Sequence, residues 1–264
     1  MNTTPFRLCV ATLLLALSVD VTATAQDFQR EYQLGAGNRI SIHSVSGNVE
    51  VTGYDGNAVI VTGVKEGRDR DQVEIEDRST AAGVDVTVRY PERCNCDATV
   101  HFTVRVPLGV AYKFDSLSSV SGDVRVKEVT GELKAKSVSG EVTVSNVKGR
   151  VDATAVSGDV EVGNVAGTVS AKSTSGDVKV EITQLSGSDS MEFNSVSGNV
   201  NVRVPGNLDA NVEMSVLSGS LKTDFPLQIE KREYGPGQKA YGQLGSGARR
   251  LKMSSVSGNV SLVR

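Results

Sequence analysis

The sequence predicts an all-β protein, a β-solenoid with 18-residue coils, and three observations carry that expectation. A nine-residue unit repeats seven times from Val120 without a gap. Inside each unit the apolar residues fall two apart, the period of a strand with one buried face. The composition supplies 27 Gly, no Trp and only 5% aromatics. A core without large anchors must come from Val, Ala, Leu and Ile, which suits regular stacking of short units.

The chain opens on a targeting segment, expected over residues 1–25. Arg7 supplies a basic start, Leu8 to Val19 is a short apolar run, and Ala23-Thr24-Ala25 gives the small-x-small pattern cut by signal peptidase before Gln26. The run is too short to span a membrane as a helix. Cys9 precedes the Leu13-Leu14-Leu15 centre of the run, so it is not placed as a lipoprotein cysteine. The mature chain, 26–264, reads as a single solenoid domain, exported to the periplasm or the cell surface, with no membrane span after cleavage.

The first copy of the repeat is Ser44-Val45-Ser46-Gly47-Asn48-Val49-Glu50-Val51. From about Tyr54 to Lys113 it gives way to longer alternating strands, such as Val84-x-Val86-x-Val88 and Val100-x-Phe102-x-Val104-x-Val106. We expect an antiparallel insertion here, placed to cap the N-terminal end.

From Val120 the blocks read VSGDVRVKE, VTGELKAKS, VSGEVTVSN, VKGRVDATA, VSGDVEVGN, VAGTVSAKS and TSGDVKVEI. Odd blocks carry Ser-Gly-Asp/Glu and Val-x-Val, and even blocks end in Leu/Val-x-Ala, so the true period is 18. One block is a strand plus a corner, and two blocks make a coil. Stacking then aligns Val124, Val142, Val160 and Val178 in one column and Leu133, Val151 and Val169 in the facing one. Ala135, Ala153 and Ala171 share the interior, and Val120 and Val138 are assigned to the same buried face. Further copies at Ser195–Val200, Val216–Leu221 and Ser255–Val260 are spaced unevenly, and Glu230 to Arg250 reads as an exposed Gly-rich loop.

No candidate for catalysis emerges. Basic and acidic residues number 28 and 31, without the electrostatic footprint of a nucleic-acid binder. The acids Asp123, Glu141, Asp159 and Asp177 fall on one edge, where calcium is conceivable. The nonapeptide calcium repeats, however, carry more glycines and a different acid position. Short polar residues that fit a turn explain the column better. The serines Ser121, Ser139, Ser157 and Ser175 have no recurring His partner. His43 and His101 are the two histidines, and His101 is expected at the surface. Cys94 and Cys96 are expected to form a local disulfide if exported, with free or intermolecular thiols as the competing state. No catalytic, cofactor or metal residue is assigned.

The Val-Ser-Gly-Asp/Glu-Val blocks, the His43–Val51 opening, the Val104–Gly109 step and the Ser254–Val260 ending resemble a bacterial domain family of unknown function labelled putative adhesin. The resemblance covers about residues 35–264. It implies the fold and transfers no catalytic residue. The expectation is a non-catalytic envelope or surface protein that binds an unidentified protein or envelope component, or serves as a scaffold. A self-assembling envelope filament is the first alternative and a carbohydrate-active solenoid enzyme the second.

Overall fold

The computed structural model describes residues 27–186, 189–231 and 236–264. The signal segment and Cys9 lie outside them. Twenty-one strands and one 3-10 turn (Arg70–Gln72) make up the described residues, with no α-helix among them.

The first seven strands are β1 (Phe28–Tyr32), β2 (Arg39–Ser46), β3 (Val49–Tyr54), β4 (Val59–Glu66), β5 (Glu74–Asp77), β6 (Gly83–Arg89) and β7 (Thr99–Pro107). The regular repeat forms β8 (Ala111–Ser121), β9 (Val124–Lys127), β10 (Thr130–Ser139), β11 (Val142–Ser157), β12 (Val160–Ser175) and β13 (Val178–Gln184). The remainder is β14 (Met191–Ser197), β15 (Val200–Arg203), β16 (Ala210–Ser218), β17 (Leu221–Thr223), β18 (Gln228–Lys231), β19 (Gln238–Leu244), β20 (Arg250–Ser257) and β21 (Val260–Val263).

Two parallel ladders run along the molecule. One follows β6-β2-β8-β10-β11-β12-β14-β20-β16. The other follows β7-β3-β9-β11-β12-β13-β15-β21-β17, using the first halves of β11 and β12. Together they make nine stacked coils, a β-solenoid.

Spatial order departs from chain order at both ends. The coil of β2 and β3 lies between that of β6 and β7 and that of β8 and β9. Likewise the last coil in the chain, β20 and β21, lies between β14/β15 and β16/β17. The segment 54–113 therefore corrects the antiparallel expectation in part. Its β4 and β5 pair antiparallel, with β1 and β7 and with β6 respectively, but β6 and β7 themselves form a parallel coil.

The Gly-rich stretch near 230–250 is also more ordered than a loop. β19 pairs antiparallel with β16 and with β18, burying Ala240 and Leu244 at period two. Glycines interleaved with those residues hid the alternation. The outer edges are now β1, β5, β17 and β18. These are short strands carrying Arg30, Glu31, Glu74, Glu76, Lys222 and Glu230, the kind of charged edge that resists further pairing.

The corners explain the glycines. At Gly158, an added Cβ would fall inside van der Waals contact of the Gly140 carbonyl oxygen one coil away, so only Gly allows the stacking distance. Across the corner, Gly158 N–H donates to Ser175 O (3.0 Å) and Val160 N–H to Asp177 O (2.9 Å). The opposite corner uses Glu128, Asn146 and Asn164 in the left-handed region at φ 57°, 56° and 52°. Asn tolerates that conformation, and Asn164 Nδ2 donates to Asn146 Oδ1 (2.6 Å).

The interior columns form as the period predicts. Val124, Val142, Val160 and Val178 align, as do Leu133, Val151 and Val169. Each is buried, and burial of a valine side chain contributes about 1.5 kcal/mol or more. Ala135, Ala153 and Ala171 make the thin middle of a column that thickens to Leu117 and Ile42 at one end and to Phe193, Met253 and Met214 at the other.

Candidate binding surface

Val120 and Val138 are not in the core. They are 47% and 36% exposed, a correction to the assignment made from the period alone. The physical reason is the corner. Before it the buried residues are Leu117 and Ser119, and after it they are Val124 and Val126, so the inward parity changes at Gly122-Asp123. A valine two residues before the glycine therefore points outward.

The same position recurs in every copy. Val45, Val120, Val138, Val156, Val196, Val256 and Leu217 are all exposed, between 36% and 50%. The strand registers place them side by side in the order Val45, Val120, Val138, Val156, Thr174, Val196, Val256, Leu217. Eight neighbouring strands spaced at about 4.8 Å give a ridge about 34 Å long. Its exposed apolar area, on the order of 450 Å², matches the largest apolar patch of an ordinary monomer, a patch that is often functional. The recurring Val-Ser-Gly triplet was the available signal for this ridge, and parity counted through the corner concealed it.

Two polar columns flank the ridge. Two residues before it stand Lys136, Thr154 and Lys172 on successive coils. Three residues past it stand the corner residues Asp123, Glu141, Asp159 and Asp177. Their role in the structure is local. Asp159 Oδ1 accepts the Asp177 N–H (2.7 Å), and Asp177 Oδ1 accepts the Asn199 N–H (2.7 Å). His101 serves the same ladder, since its Nδ1 accepts the Asn48 N–H (3.2 Å), so it is half-buried rather than a plain surface residue.

The serines of the expected column, Ser121, Ser139, Ser157 and Ser175, are exposed. A second column that the sequence reading passed over is buried: Ser44, Ser119, Ser137, Ser173, Ser195 and Ser255. Its hydroxyls are bonded to corner carbonyls, as in Ser173 Oγ to Gly158 O (2.8 Å). The Sγ atoms of Cys94 and Cys96 lie in contact with Cα atoms 5.1 Å apart, a span that fits a disulfide. His43 Nδ1 meets Ser118 Oγ at 2.8 Å.

The sides carry charge in balanced pairs. Lys179 meets Glu161 (2.6 Å), Arg250 meets Glu213 (3.0 Å), and Lys172 pairs with Glu192. Among the described residues four carboxyls are displaced from their ordinary range, each of them downward. The hydrogen bond from Arg78 brings Glu76 to about 2. The bond from Lys172 lowers Glu192, and the Ala248 N–H lowers Asp209. At Asp77, burial pushes upward but is outweighed by hydrogen bonds from Ser79. Among the described residues no group of three or more His, Cys, Asp or Glu is placed to hold a metal ion.

A profile of the Toastrack DUF4097 family matches residues 38–263, nearly the whole described chain. The chain belongs to this family. Three solved structures resemble this Toastrack chain at 12% identity each, covering 89% of it. A putative cell adhesion protein from Clostridium sporogenes is covered over 98% of its length, with a TM-score of 0.33. Putative adhesins from Bacteroides fragilis and Parabacteroides distasonis are covered over 96%, with TM-scores of 0.42 and 0.39. No curated protein matches the Toastrack sequence.

Proposed function

We propose that this Toastrack protein is an exported, non-catalytic repeat protein that works in the envelope or at the cell surface as a binding or structural scaffold. The observation that carries the reading is the apolar ridge, Val45 to Leu217, held on a rod of nine coils. A stacked ladder presents such a ridge without the ordering cost that a flexible loop would incur on binding. The Arg7 to Ala25 segment supports export, and the approach of Cys94 to Cys96 suits an oxidising compartment.

Fractionation of cells carrying the tagged full chain tests the compartment. The expected result is mature protein, cut before Gln26, in the periplasm or at the surface, with no titratable thiol before reduction. Cytosolic, uncut protein with two free thiols in its 26–264 portion would overturn the export reading. Capture of envelope components on the immobilised 26–264 chain tests the binding reading. Capture should fall when Val138 and Val156 are both changed to Glu, and capture indifferent to that change would remove the ridge from the function.

A further inference from the structure

We propose that the ridge is the contact between two copies of this chain, packed ridge on ridge with both rods pointing the same way. The inference rests on the reading of the ridge as a binding surface and names a second copy as its occupant, so envelope components captured by the immobilised chain would bind the paired rods rather than the ridge itself. A strip about 34 Å long and about 15 Å wide covers about 500 Å² on each copy, or about 1,000 Å² in total, the size at which a specific interface becomes sustainable.

Charge chooses the second copy and its direction. One flank of the ridge carries Lys136 and Lys172, and the other carries Glu141 and Asp177. Lys136 and Glu141 belong to one coil, and Lys172 and Asp177 to another. A twofold axis running along the ridge turns each flank onto the opposite flank of the partner at the same coil. Each Lys136 then faces the other copy's Glu141, while Lys172, already paired with Glu192 on the neighbouring strand, stays with its own copy. An axis running across the middle of the ridge would instead set Lys136 against Asn194 and Asp159 against Asp177, which loses the attraction and adds a like-charge contact.

Thr174 sets the register. It is the one polar rung in the ridge, between Val156 and Val196. In the parallel arrangement it meets its own copy, so its hydroxyl finds a hydroxyl. A slip of one rung buries that hydroxyl against valine, which costs free energy without returning a hydrogen bond.

The test uses the mature chain, 26–264, in light scattering and sedimentation across a range of concentrations, with single-cysteine variants made in a Cys94→Ser/Cys96→Ser background for direction. A dimer is expected, and Val138→Cys and Val196→Cys should each cross-link to themselves under mild oxidation. Val45→Cys mixed with Leu217→Cys should give no mixed product. A Val138→Glu/Val156→Glu variant, checked for unchanged folding by circular dichroism, should be monomeric. Lys136→Glu should weaken dimerisation by roughly tenfold, and Lys136→Glu/Glu141→Lys should restore it. A monomer at all concentrations, or cross-linking of Val45→Cys to Leu217→Cys in place of the self-pairs, would overturn the proposal. So would a dimer unaffected by the two glutamates.

Discussion

The hydroxyl of Ser137 donates to the carbonyl oxygen of Gly122 across 2.8 Å, joining one coil to the next through a buried side chain. The same bond recurs from Ser119 to Gly47, from Ser195 to Gly176 and from Ser255 to Gly198. It links the two features that define the repeat, the corner glycine of one coil and the buried serine that stands three positions before the corner glycine of the next.

One rung of that column lacks the hydroxyl. Ala155 stacks between Ser137 and Ser173 and has nothing to offer Gly140. Ser137→Ala should therefore cost about 1–2 kcal/mol, because a buried carbonyl loses its partner. Ala155→Ser should stabilise by about 0.5–1.5 kcal/mol by completing the column. Chemical denaturation of the two variants checks both signs, and a destabilising Ala155→Ser would show that the column is not a set of equivalent bonds.

The glycines divide into two kinds, and substitution should separate them. At Gly158 a methyl group would collide with the backbone of Gly140, so Gly158→Ala should cost at least about 1–3 kcal/mol. At Gly163 nothing lies within 4 Å of an added Cβ. Gly163→Ala should be neutral or stabilising by up to about 1 kcal/mol, since it narrows the unfolded ensemble. Thermal melts of the pair are the measurement.

Much of the fold was legible because two periods, two and nine, act together. The alignment of Val142 on Val124 and of Ala153 on Ala135 needed nothing more than the block spacing. What was not legible depends on parity at corners and on pairing between distant segments. Val120 looked buried because it lies four residues before Val124, and only the bend at Gly122 turns it outward. The entry of β20 between β14 and β16 leaves no trace in local composition, because Ser255-Val256-Ser257-Gly258 reads like any other copy. The ridge follows from the same parity change, so it was missed together with Val120.

Acid should loosen the C-terminal end of the rod. Asp209 accepts hydrogen bonds from Gly247 N (2.7 Å), Ala248 N (3.1 Å) and Ser246 Oγ (2.8 Å), which hold its carboxyl below the ordinary range. A depressed native value means this contribution is complete above about pH 3.9, the unfolded value, and is lost as pH falls through the native one. Glu76, at about 2, behaves the same way at the opposite end. The melting temperature should fall as pH is lowered from about 4.5 towards 2, with a shallower slope in Asp209→Asn and in Glu76→Gln. Salt should erode the Glu76 share more, because its partners are exposed guanidinium groups while those of Asp209 include fixed backbone amides.

The corner column separates charge from hydrogen bonding in a way that can be measured. Asp159 and Asp177 each accept the amide of the next corner residue, and the sequence then changes to Asn199 and Asn259. Asn199 Oδ1 accepts the Asn259 N–H (2.9 Å) and Asn259 Oδ1 accepts the Ser220 N–H (3.0 Å), so the ladder continues without the charge. Glu141, one methylene longer, accepts instead from the Thr143 hydroxyl (3.3 Å). The ladder thus requires an oxygen at the reach of Asp or Asn. Asp159→Asn should leave stability within about 0.5 kcal/mol, whereas Asp159→Ala should lose about 1–2 kcal/mol. Calcium or a chelator should leave both melting temperatures where they are, because one oxygen of Asp159 is already committed to the backbone amide of the next coil. A melting temperature that rises with calcium in the native chain but not in Asp159→Asn would reverse this assignment and make the acids a cation site.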